Sequence, residues 1–215
     1  MNETKIKYQQ KVADLFLDKI FPIDPHAIIA GGAVRDWYFG NPANDIDLFF
    51  HVRKNVTQTT VEKMLKSVGI NIKERKSHDN IPDWYKKNPS IVAVYDVEYN
   101  SQKIQLIYMN EPTFDCVVKK FPVSICKAWR KGGNNYYEED FKLSCMYSTI
   151  WKTNELYNDR DRFIQKIKEK FPNFTYCDED GTLNFLKSRE YKKIHSAALR
   201  EKALLEYYMS SKRGE

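Results

Sequence analysis

The chain has 215 residues, 42% hydrophobic and 30% charged, enough for one substantial core. No stretch approaches the roughly twenty consecutive apolar residues that a membrane span requires. The net charge of +6 is uneven. Residues 1–50 hold five basic and seven acidic side chains, or −2, so the rest of the chain carries +8. An acidic segment on a basic body suits a cation held in one place and a polyanion in another, although a lysine-rich solvated surface gives the same count.

The opening MNETKIKYQQKVADLFLDKIF repeats apolar residues at helical spacing (Val12, Leu15, Phe16, Ile20). It lacks the apolar block and cleavage site of a secretory signal, so a cytoplasmic location is expected. FPIDP breaks the helix, HAIIAGG reads as a short buried strand ending in glycines, and AVRDWYFG as two helical turns closed by Gly40. DIDLFFHV is a strand by its β-branched and aromatic content, and TTVEKMLKSVG a capped helix stopping at Gly69. KERKSHDNIPDWYKKNPS is polar, basic and proline-punctuated, which predicts a mobile loop. IVAVYDVEY and KIQLIYM, joined by NSQ, predict a β-hairpin.

Beyond the hairpin, EPTFDCVVKK is expected to be helical, FPVSICKAW extended and RKGGNN a turn. From Tyr137 onward the pattern predicts helices through EEDFKLSCMYSTIW and NDRDRFIQKIKEKF. Thr182 caps a last helix over about 183–209, and capping also accounts for the acidic DEDG before it. The division expected is a head over 1–150 and a helical region over 151–215. Cys116, Cys126, Cys145 and Cys177 form no CxxC pair and the four histidines no metal-binding array, so reduced, mostly buried thiols are expected.

The chemistry concentrates in AGGAVRDWYFGNPANDIDLFF, residues 30–50. Asp45 and Asp47 flank Ile46 on a predicted strand, and the two-residue period sends both carboxylates to one face. Two adjacent carboxylates repel unless a cation lies between them, and hard oxygen ligands of this kind suit Mg²⁺ or Mn²⁺. The Gly31–Gly32 pair at a strand–helix junction lets bare backbone approach a triphosphate, and Arg35 follows one turn later.

The pattern GG-x-V-R-D, a short helix ending in glycine, then D-I-D-L resembles the head-domain signature of class II CCA-adding enzymes and bacterial poly(A) polymerases. These belong to the DNA polymerase beta nucleotidyltransferase superfamily. Gly31, Gly32, Val34, Arg35, Asp36, Gly40, Asp45, Ile46, Asp47 and Leu48 carry the match, strongly over residues 26–52 and loosely to about 130. The resemblance implies an α+β fold, a mixed, mostly antiparallel sheet flanked by helices, with a C-terminal helical region. It implies that Asp45 and Asp47 hold the metal and that Gly32 and Arg35 contact the nucleoside triphosphate. The family's third carboxylate, in a segment resembling F-E-V-T-T, falls on Gln105, a neutral side chain. Asp96 or Glu98 on the facing strand is the candidate substitute for it. The R-R-D-F-T-I-N-A motif has its nearest echo in KKFPVSICKA, with Lys120 as the basic stand-in and Pro122 where the aspartate belongs.

A complete family tRNA-binding body is not expected in the residues after 150, and the layout is also similar to small nucleotidyltransferase-like proteins of phage genomes, which would put it in the host cytoplasm. Lys73, Arg75, Lys76 and Trp84 in the predicted loop either grip an RNA backbone and stack bases or form a solvated loop. Arg160, Arg162 and Lys166 can line a basic helical face toward RNA. The Tyr-rich terminal helix reads as core or a dimer contact. The function expected is transfer of a nucleoside monophosphate from an NTP to a hydroxyl, with an RNA 3′ end as acceptor. The alternative is a degenerate module of the same fold that binds nucleotide, RNA or a protein partner.

Overall fold

Stretches rich in Ile, Val, Phe and Tyr build the framework of the protein, whose computed structural model describes residues 2–52, 56–76, 85, 88–111, 117–153 and 162–177. Two compact units divide after Thr175, and of the second, Tyr176–Glu215, only Tyr176 and Cys177 are among the described residues. The first unit contains helix α1 (Asn2–Ile20), strand β1 (Ile28–Ala30), α2 (Gly32–Tyr38), β2 (Asp45–His51) and α3 (Gln58–Ser67). β3 (Glu74–Lys76), β4 (Ile91–Tyr99) and β5 (Gln102–Met109) follow, then a 3₁₀ turn over Ser124–Cys126. β6 (Ala128–Lys131), β7 (Asn134–Tyr137), α4 (Glu139–Tyr147), β8 (Thr149–Trp151) and α5 (Arg162–Lys170) complete it, and a short strand, Thr175–Cys177, begins at its boundary.

Among the described residues, β1 to β7 form one seven-stranded sheet in the order β3-β4-β5-β2-β1-β6-β7. Every pairing in it is antiparallel except β2 with β5. The sheet is therefore mixed and mostly antiparallel with helices against it, the α+β class expected. β2 sits near its centre, and alternation splits its side chains. Ile46, Leu48 and Phe50 are fully buried on one face, while Asp45, Asp47 and Phe49 take the other. α1 and α2 both pack on β1 and β2. Phe49 joins Ile28, Ala30, Val94, Ile107 and Met109 in a core cluster on the dyad's side of the sheet.

Three sequence expectations are corrected. ERK at 74–76 is an edge strand rather than loop: it pairs along β4, and both of its basic side chains meet acids, Lys76 with Asp96 on β4 and Arg75 with Glu62 on α3. Next, the turn expected in RKGGNN forms at Gly132 and Gly133, but its flanks are paired strands. Gly132 and Gly133 both take positive φ (54° and 77°), the turn that two-residue hairpins favour, so NNYY becomes β7 and FPVSICKAW divides into a 3₁₀ turn and β6. Finally, the helix after Glu138 ends at Tyr147, and Thr149–Trp151 is a buried strand. The hairpin β4–β5 forms as read, through Asn100 and Ser101 at φ 47° and 62°. Half of EPTFDCVVKK (112–116, with Cys116), Trp84, Arg160 and the last helix lie outside the described residues.

Candidate functional site

Gln9 fixes the approach to the dyad. It is 1% exposed on the apolar face of α1. Its Nε2 donates to Ala43 O and Gln102 Oε1, both at 2.7 Å, and its Oε1 accepts from Ala43 N at 2.8 Å and Trp37 Nε1 at 3.0 Å. One amide thus ties the end of α2 and the start of β5 to the loop that delivers Asp45. Sequence reading missed it, although a glutamine inside the stripe that contains Val12, Ala13 and Phe16 was the available signal.

An open cavity of about 410 Å³ lies against the dyad. The β1–α2 junction lines it with Gly31, Gly32, Arg35 and Asp36, and β2 with Asp45, Asp47 and Phe49. Tyr85, Ile91, Val117, Phe121 and Pro122 add an apolar wall, to which Lys120 contributes a cation. Phe163, Lys166, Ile167 and Lys170 enter from α5. Gly31 at φ 82° turns the backbone into α2, and a Cβ there would lie 3.1 Å from the Phe121 ring. Only glycine fits both the conformation and the space.

Asp45 is exposed, and Asp47 is partly buried with its Oδ1 shut off from solvent. Among the described residues no donor meets hydrogen-bond geometry at that oxygen, and the Tyr85 hydroxyl is the group that faces the carboxylate. Burial first, and the neighbouring Asp45 charge second, push the Asp47 carboxyl up to about 8. The Tyr85 hydroxyl and the charges of Arg35 and Lys76 draw it back only in part. A buried carboxylate oxygen beside a second carboxylate fits a hard divalent cation, which would supply the missing positive charge. No group of three or more His, Cys, Asp or Glu able to hold a metal occurs among the described residues. Two carboxylates completed by substrate oxygens is the arrangement magnesium commonly accepts.

The remaining predicted residues separate. Asp47, Gln105 and Asp96 stand in one row across β2, β5 and β4. Asp96 does face Gln105, as the short turn required, but Gln105 Nε2 donates to its Oδ1 at 3.2 Å and Lys76 pairs with its Oδ2 at 2.8 Å. At two strand spacings, roughly 10 Å, Asp96 does not share an ion with Asp47. Glu98 is exposed on the far side of Lys103 and binds Lys73 at 2.6 Å. Neither acid lines the cavity.

Arg35 does line the cavity but is 6% exposed, with donors directed to Asp36 Oδ1 (3.0 Å) and Cys126 Sγ (3.2 Å) and its guanidinium over the Phe171 ring. Burial pushes the Cys126 thiol up, which keeps it protonated and inert near neutral pH. Lys120 Nζ donates to Ser90 Oγ at 3.4 Å. Lys73, Arg75 and Lys76 are all ion-paired, and Arg162 is exposed at the start of α5. Lys166, expected as an RNA contact, lines the cavity.

No curated protein matches the chain. Among solved structures it is similar to a tRNA-processing enzyme in a complex, at 15% identity and TM-score 0.46, over 88% of this chain and 47% of that one. It is similar to a tRNA nucleotidyltransferase solved with a primer tRNA and an incoming ATP analogue, at 14% and 0.43, over 84% and 48%. It is also similar to the Bacillus stearothermophilus CCA-adding enzyme solved with CTP, at 12% and 0.44, over 70% and 36%. The chain therefore spans about half the length of these structures, or less. Among the described residues no helix is long and apolar enough to cross a membrane. A family model described as Gad2, Gabija anti-defense 2 family protein, matches residues 7–146, from α1 through the glycine pair, the dyad and the whole sheet, and the chain belongs to that family.

Proposed function

We propose that the protein is a metal-dependent nucleotidyltransferase that moves a nucleoside monophosphate from an NTP to a hydroxyl, with an RNA 3′ end as the leading acceptor. The observation that carries this reading is the Asp45–Asp47 pair at the wall of a cavity shared with Gly31, Gly32, Arg35 and Lys120, with Asp47 Oδ1 closed off from solvent beside a second carboxylate. The acceptor hydroxyl gives up its proton and its oxygen bonds the α-phosphorus. The bond from that phosphorus to the bridging oxygen breaks, and its electron pair leaves on pyrophosphate. Asp45 and Asp47 would hold the Mg²⁺ or Mn²⁺, which when bound supplies Lewis-acid stabilisation of the phosphoryl oxygens.

The chain's own residues divide the remaining work. The glycine edge admits the triphosphate close to the backbone, and the Lys120 charge favours it there. The apolar wall of Phe49, Tyr85 and Phe121 suits a nucleobase face and keeps water from the reacting phosphorus. Asp96 is held by Gln105 and Lys76, so proton removal falls to the dyad itself.

One specific feature favours a second reading. Gln105 stands where a third carboxylate is expected, which suits a module that holds nucleotide, RNA or a protein partner without turnover. The family description supports a target within a defence system under either reading. Incubation of the protein with each α-labelled NTP, Mg²⁺ or Mn²⁺, and RNA or lysate acceptors separates the two. Label transfer abolished by Asp45→Ala and Asp47→Ala supports the enzyme, and equal background in all three proteins supports the binding module.

A further inference from the structure

Four cations line the cavity, and they differ in what they already hold. Arg35 is committed to Asp36 and Cys126, Lys170 to Asp36, and Lys120 to Ser90 with Glu111 at 3.8 Å. Both oxygens of the Asp36 carboxylate are taken, Oδ1 by Arg35 and Oδ2 by Lys170. Lys166 has no carboxylate partner among the described residues, yet it lines the same cavity as Asp45 and Asp47.

Its placement is built rather than incidental. Phe163, Lys166, Ile167 and Lys170 follow the i, i+3, i+4, i+7 spacing that puts them on one face of α5, and that face forms the cavity wall. Ile164 and Ile167 are buried, Lys170 bonds to Asp36 on α2, and the Phe171 ring lies under Arg35 at 5.5 Å. These contacts fix α5 against the glycine end of the site, and among the described residues the Lys166 ammonium on this cavity-lining face has no carboxylate partner.

We propose that Lys166 binds the polyphosphate of the substrate, neutralising the β- and γ-phosphates that depart as pyrophosphate, which makes the ligand class a nucleoside triphosphate gripped by its leaving group. The proposal rests on the nucleotidyl-transfer reading above. An RNA phosphate is the competing ligand for a basic side chain on a helix. The cavity location argues against it, and the other basic candidates, Lys73 and the β3 residues Arg75 and Lys76, are paired with Glu98, Glu62 and Asp96 respectively.

Calorimetric titration at fixed Mg²⁺ tests the assignment, with a non-hydrolysable α,β-methylene ATP analogue and inorganic tripolyphosphate as probes. Lys166 is exposed, so Lys166→Ala removes no core. The variant should weaken both probes by a similar factor of about ten to a hundred, the range for a hydrogen bond to a charged group. Lys166→Arg should recover most of that loss, and Lys142→Ala, which removes an exposed charge on α4, should leave both affinities as in wild type. Unchanged binding of the analogue by Lys166→Ala overturns the proposal alone. So does loss for the analogue without loss for tripolyphosphate, wild-type binding of the analogue but not of tripolyphosphate, or a loss confined to an RNA oligonucleotide. Failure of wild type to bind any NTP overturns the proposal together with the nucleotidyl-transfer reading.

Discussion

Replacing Asp47 by Asn should stabilise the metal-free protein at pH 8. The carboxyl is held at about 8 against its ordinary 3.8, first by burial and then by Asp45, a rise of roughly four units. At ~1.4 kcal/mol per unit the ceiling is ~6 kcal/mol. Water in the open cavity screens part of this, and about 2 kcal/mol is the expected gain, or ~4–8 °C in Tm for a chain of this size. The sign follows from proton binding. Below about pH 4 the group is protonated in both folded and unfolded chains, and wild type and variant match. From about pH 4 to 8 the unfolded chain has released a proton that the folded chain keeps, so wild-type stability falls as pH rises and the gap to the variant widens. Thermal melts in EDTA at pH 5 and pH 8 read this directly. Millimolar Mg²⁺ should then raise the Tm of wild type and leave Asp47→Asn unmoved. A variant less stable than wild type at pH 8 in EDTA, or a gap that does not change with pH, refutes the reasoning.

Gln9→Ala leaves Trp37 Nε1, both backbone groups of Ala43 and Gln102 Oε1 without their partner. The expected loss is about 3 kcal/mol or more in denaturant unfolding, at ~1–3 kcal/mol per orphaned buried group. Gly31→Ala forces a left-handed backbone on a side chain and pushes the Phe121 ring, so a Tm drop and at least tenfold weaker NTP binding by calorimetry are expected. Gln105→Glu sets three carboxylates in a row with Asp47 and Asp96 and removes the donor to Asp96 Oδ1. It should cost about 1–2 kcal/mol without metal, and adding Asp96→Asn should return most of it in a double-mutant cycle.

The glycine pair, Arg35 and the dyad were legible because twenty residues of sequence place them on β1, α2 and β2, and a strand's two-residue period fixes the side to which both aspartates point. The β4–β5 hairpin was legible for the same reason, its turn being local. What stayed hidden depends on distant partners. ERK at 74–76 looks like loop until Asp96 and Glu62 are seen to neutralise it. Lys166 looks like a solvated or RNA-facing lysine until α5, more than a hundred residues from the dyad, is docked by Lys170 on Asp36. Gln9 reads as an ordinary polar helix residue because four separate segments of chain must converge before its hydrogen bonds exist. Asp96 was correctly opposite Gln105, but sequence could not show that Lys76 already held it.

Nucleotidyl transfer at this cavity depends on Asp45 and Asp47 forming a cation site. Titration of the nucleotide-free protein with Mn²⁺, following the free-ion signal by electron paramagnetic resonance, tests that claim most directly. Wild type should bind Mn²⁺ in competition with Mg²⁺, and both Asp45→Asn and Asp47→Asn should weaken that binding at least tenfold. Equal binding by all three proteins, or none by wild type, would contradict that claim.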